Sequence, residues 1–191
     1  MSEAMKKAVL SVLVALHSAV LLAQFATPAE KPTAYLDVKE AAGENKFIHS
    51  AHGDIDKYAS TTEQSVKRTA ISISAGTLMH SPLSAHIEWY FIAKDLVRKR
   101  DYVFDKGGRD VSFQGGNVVE FDAVSKDISS SVTHETAYGM SELHPKIAGS
   151  KPDGWIVRIL SGDTVLDMRA STPLLEDVAN DPIEFQKLQG N

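Results

Sequence analysis

Apolar and polar residues alternate with period two in several short stretches after residue 66, the spacing of half-buried strands. Thr69–Ser74 (TAISIS) points Ile71 and Ile73 the same way. In Ser84–Lys94 (SAHIEWYFIAK), Ile87, Trp89, Phe91 and Ala93 line one face, and His86, Glu88, Tyr90 and Ile92 the other. Asp101–Phe104, Val111–Gln114, Val118–Val124, Gly154–Leu160 and Thr164–Ala170 continue the series, and Ser125–Tyr138 holds one irregular strand. Lys106-Gly107-Gly108-Arg109, Gly115-Gly116-Asn117 and Ser161-Gly162-Asp163 read as turns. Met140–Asp153, which contains Pro145 and Pro152, reads as a long loop or a brief helical turn around Ser141–Leu143. Thr172 is placed to cap a helix with Pro173 at its first position, which predicts a short helix over Leu174–Ala179 stopped by Asp181-Pro182. Strand follows strand without a βαβ rhythm. Residues 67–191 are therefore expected to form a mainly β domain, an antiparallel β-sandwich with a short C-terminal helix and frayed last residues.

Before this region the pattern breaks down. Residues 27–66 show no sustained period, and are expected to be an irregular arm or linker. Leu36–Ala42 is a possible helix start and Phe47-Ile48 a strand fragment. Residues 1–26 differ again. Lys6 and Lys7 precede the apolar run Ala8–Ala23, and small residues follow it. That outline is a secretory signal peptide, or an N-terminal anchor if it is retained. Either way the remainder of the chain is expected outside the cytoplasm, in a bacterial periplasm or beyond the cell.

Composition narrows the chemistry. After residue 26 there remain 18 basic and 24 acidic residues, a net charge of −6. This mild acidity argues against nucleic acid and against an anionic membrane surface, since both call for a positive field. Cysteine is absent, so thiol catalysis, disulfides and Cys-ligated zinc are excluded.

The run Gly154-Trp155-Ile156-Val157-Arg158, followed by Ser171-Thr172-Pro173-x-Leu175, resembles the C-terminal end of a group of uncharacterised exported bacterial proteins. In that group a GWxVR strand precedes an S-x-P-x-L helix start. The resemblance implies export and brings no site residues with it. The His86–Phe91 strand resembles a central strand of an immunoglobulin-like or fibronectin-type sandwich, without the cysteine pair of immunoglobulins.

Several groupings of residues carry possible chemistry. His49, His52 and Asp54 offer imidazole and carboxylate ligands, and support an alternative reading as a metal-dependent hydrolase. The segment departs from the usual metallohydrolase spacing and names no further ligand, so solvated loop residues are the preferred reading. His86 and Glu88 share a strand face, as an acid–base pair would, but also as any solvent-facing strand would. If that face is exposed, Tyr90 and Tyr102 become candidate binding residues. Trp89 and Trp155 read as core. Asp101, Asp105, Asp110 and Asp122 fit turns better than a calcium loop. Ser129–Ser131 with His134 and Glu135 lacks a nucleophile elbow. No cofactor is expected. The preferred reading is a non-enzymatic exported module binding a protein or a glycan.

Overall fold

The apolar positions of the alternating stretches meet in one layer: Ile71, Ile73, Ala75, Ile87, Phe91, Phe113, Trp155, Val157 and Ile159 are buried against one another. Two sheets must face each other to create such a layer. The structure, a computed structural model, describes residues 33–54, 58–78, 80–137 and 145–190. The expected signal or anchor at 1–26 and the helical turn around 141–143 lie outside the described residues. In chain order the strands are β1 (Ala34–Ala41), β2 (Asn45–Asp54), β3 (Tyr58–Lys67), β4 (Ala70–Thr77), β5 (Leu83–Asp95), β6 (Asp101–Phe113), β7 (Val118–Val124), β8 (Ile128–Ala137), β9 (Lys146–Ser161) and β10 (Thr164–Ala170). Two helices follow, α1 (Pro173–Asn180) and α2 (Pro182–Gln189).

The sandwich stacks a sheet of order β1-β4-β7 against a sheet of order β10-β9-β5-β6, with every pairing antiparallel. This bears out the expected β-sandwich with a C-terminal helix. β5 and β9 lie at its centre, where Phe91 stands opposite Trp155 and Tyr90 opposite Ile156. Tyr90, Phe91, Ile92 and Ala93 are buried in succession, because β5 is covered on both faces. The opposing sheet covers Phe91. On the other side α1 and α2 bury Tyr90, Ile92 and Ile156 beneath Leu175, Phe185 and Leu188.

The helices start as their sequences require. The Thr172 hydroxyl accepts the Leu175 N–H at 3.3 Å, and Pro173 opens α1. Asp181 ends α1 and caps α2, its carboxylate accepting the N–H groups of Ile183 and Glu184. The expected frayed tail is thus a second helix, fixed by the burial of Phe185 and Leu188.

Five further expectations are corrected. The sandwich begins at β1, not at residue 67, and Leu36–Ala41 is strand, not the start of a helix. Residues 45–54 and 58–67 form a regular hairpin where an irregular arm was expected. Lys106–Arg109 lies inside β6 and does not turn. A Cβ on Gly107 would sit 2.4 Å from Trp89 Cζ2, so this glycine serves the close approach of the indole rather than a reversal. Finally, strand β9 already starts at Lys146, within the stretch expected to be a loop.

The side of the sandwich between β1 and β10 is closed by side chains. The Leu36 N–H donates to Asp167 Oδ2 at 2.7 Å, and Arg169 Nε donates to the Leu36 carbonyl at 3.1 Å. β10 therefore has a neighbour on each side, β9 by backbone pairing and β1 through these side chains.

Candidate interaction surface

Two places in the molecule gather polar and aromatic side chains beyond what the core requires. The first lies under the helices. Glu88 on β5 accepts the Tyr90 hydroxyl at 2.8 Å and Arg158 Nη2 from β9 at 3.3 Å. The Phe185 ring of α2 packs edge-on to Tyr90, with centroids 5.1 Å apart, and carries the Arg158 guanidinium 4.7 Å from its centroid. Burial, and then the hydrogen bond to Glu88, push the Tyr90 phenol up to about 12. Tyr90 therefore stays a neutral donor at ordinary pH, and Glu88 is spent on it and on Arg158. A groove of about 500 Å³ runs beside this cluster, lined among others by Arg158, Val165, Met168, Phe185 and Gln189. Nothing in the cluster is arranged as a nucleophile with its base. Its interactions fasten the helices to the sheet.

The second place is a projecting sheet, here called the wing. The first quarter of β9 leaves the sandwich and pairs through Lys146–Gly149 with β8, which pairs with β3, which pairs with β2. β2 and β3 arise between β1 and β4, and β8 between β7 and β9, so two separate insertions build the wing. Among the described residues, β2, β3 and β8 make their extensive contacts only with one another and with β9. Among the described residues, no layer covers either face of the wing.

Opposed residues of antiparallel strands share a face. One face of the wing carries the rows Phe47/Ser65/Ser130 and His49/Glu63/Val132/Ile147. The other carries Ile48/Gln64/Ser131/Ala148 and Ser50/Thr62/Thr133/Lys146. On that second face the Thr62 and Thr133 hydroxyls lie 3.0 Å apart, and Lys146 Nζ donates to Glu135 at 2.7 Å. Phe47 is 67% exposed, Ile48 51% and Ile147 45%. Exposed apolar residues on both faces of one thin sheet are the signature of a contact surface.

The residues singled out in the sequence fall as follows. Tyr90 is buried, which removes it from any exposed binding face, because α2 covers the side of β5 that was expected to meet solvent. Tyr102 is half-buried and donates to Ser150 Oγ at 2.9 Å. His86 does not act with Glu88; its Nδ1 lies 2.6 Å from Asp110 Oδ1. His49 and His52 are three apart on strand β2, so they project from opposite faces. His49 lies 3.8 Å from Glu63, and the Asp54 side chain lies outside the described set. The strand thus separates the two imidazoles that the metal reading needs on one ion. Arg158 and Phe185 were missed. A second helix-start signature, Asp181-Pro182 with Phe185 and Leu188 three apart, was the signal for Phe185.

No protein-family model matches the chain, and no curated protein does. Among solved structures, it is similar to a putative ApaA protein from Bordetella pertussis at 11% identity, over 70% of this chain and 97% of the other, with a TM-score of 0.27. A protein from Akkermansia muciniphila matches at 10% identity, over 77% of this chain and 75% of the other, with a TM-score of 0.22. Likeness at these TM-scores carries no argument about fold or activity. Among the described residues, no helix is long and apolar enough to cross a membrane.

Proposed function

We propose that this chain is an exported, non-enzymatic interaction module that contacts another protein through its wing. The wing itself carries the reading: paired strands with Phe47, Ile48 and Ile147 exposed, and no layer of the described residues against them. A single-layer sheet gains little from burial on its own, so an uncovered one is best explained by a partner that covers it. The basic and apolar N-terminal segment supports export, and the net charge of −6 after residue 26 favours a protein over nucleic acid. The polar cluster nearest to catalysis, Glu88 with Tyr90 and Arg158, supports a structural role because the Glu88 carboxylate accepts from both the Tyr90 hydroxyl and Arg158 Nη2.

A photo-crosslinking side chain placed at Phe47 in living cells tests the reading. The expected result is a discrete adduct from position 47 and none from Leu174, an equally exposed apolar residue on α1. Equal labelling from both positions, or none from position 47, would overturn it. The mass of the native N-terminus separately reads whether residues 1–26 are removed.

A further inference from the structure

We infer that two copies of this chain pair antiparallel along their β2 edges, joining two wings into one continuous sheet. The inference rests on the reading of the wing as a contact surface and names its occupant. A bordering strand presents unpaired backbone groups, and folded proteins protect such strands with charges, register breaks, short length or a neighbour. The sandwich borders all show these devices. β1 and β10 shield each other through Asp167 and Arg169. β7 is seven residues long and carries Glu120 and Asp122 on its exposed side. β6 breaks register against β5 near Phe104 and exposes Lys106, Arg109 and Asp110. Among the described residues, β2 has none of them along its middle. It runs ten residues in unbroken register with β3, contains no proline, and has no formally charged residue between Lys46 and Asp54.

The pattern of β2 suits its own copy. Antiparallel pairing about Ser50 sets Lys46 opposite Asp54 at both ends, and places no like charges opposite each other. Parallel pairing in register would set Lys46 against Lys46. The antiparallel arrangement also sets Ile48 opposite His52, and Phe47 opposite Gly53. A strand glycine leaves a gap beside it that a cross-strand aromatic ring fills. Phe47, exposed in the single copy, then lies over the neighbour's backbone.

The test uses the chain as the cell produces it, followed by sedimentation velocity over a concentration series. The expected species has twice the chain mass. Ser50→Lys sets two ammonium groups against each other at the two-fold axis and is expected to raise the dissociation constant about tenfold or more. Its far-ultraviolet circular dichroism should stay that of the parent. Because the chain has no cysteine, Ser50→Cys adds a single thiol. Opposed antiparallel residues lie about 4.5–5.5 Å apart at Cα, within the range of a disulfide, so mild oxidation should yield a covalent dimer. Ser112→Cys on the β6 border should not link. A monomer at every concentration, a dimer indifferent to Ser50→Lys, or equal linkage at Ser112 would each overturn the pairing. An adduct from position 47 to a different protein, found with a monomeric chain, would sink the pairing and leave the proposed function standing.

Discussion

The sandwich and the wing are built from the same kind of strand and held by different forces. In the sandwich, Ile71, Ile87, Phe91, Val157 and Ile159 are essentially without solvent contact, and burying each large side chain contributes about 1.5–3 kcal/mol. In the wing, every described residue of β2 from Asn45 to Gly53 is exposed. Its order rests on backbone pairing and on side-chain contacts such as Thr62 with Thr133. The contrast teaches that strand geometry and hydrophobic burial are separable. Burial makes a strand alternate in sequence, whereas pairing alone asks only for extended backbone and a partner.

Substitutions that strike one region and spare the other sharpen the contrast. The largest effect belongs to Phe91→Ala, which empties the centre of the sandwich and should cost about 3–5 kcal/mol in denaturant unfolding. Gly107→Ala should cost about 1–3 kcal/mol by forcing the Trp89 indole off β6, with a shift in tryptophan emission as its signature. An alkaline titration reads the layer between sheet and helices. Tyr90 holds its proton in the folded chain to about 12, against an ordinary 10. The unfolded chain loses that proton first. Stability from this group is therefore complete below the ordinary phenol value and falls as pH rises from about 10 toward 12. Tyr90→Phe should abolish that fall, along with one late-ionising phenol in the ultraviolet spectrum. The smallest effect belongs to the wing: Phe47→Ala should change stability by no more than about 0.5 kcal/mol. A large loss there, in a monomer, would mean that the wing is packed after all and would erase the contrast.

How much was legible follows the same division. β4 and β7 were readable because each sets a more buried side against a more exposed one, as Ile71 and Ile73 show against Ser72, and β5 because its run is rich in aromatic and β-branched residues. α1 was readable because Thr172 and Pro173 mark its start. β2, β3 and most of β8 were not. With both faces open nothing forces alternation, so Ser, Thr and Gln stand where an apolar residue would have announced a strand. The candidate site was read less well than the fold. Tyr90 was assigned to solvent because nothing within β5 reveals that a helix nearly a hundred residues later lies over it. His49 and His52 stand close in sequence, yet a spacing of three places them on opposite faces of a strand.

By itself the order of side chains determined that this is a mainly β chain, where its hairpin between β9 and β10 turns, and how α1 begins. These are local matters of period, turn chemistry and capping. Tertiary structure decided that β5 is buried on both faces, that Asp167 and Arg169 close one side of the sandwich on Leu36, and that two insertions meet to form the wing. Each of those depends on residues far apart in the chain being brought together. No local pattern encodes that meeting, because its free energy arises only once the partner is in place.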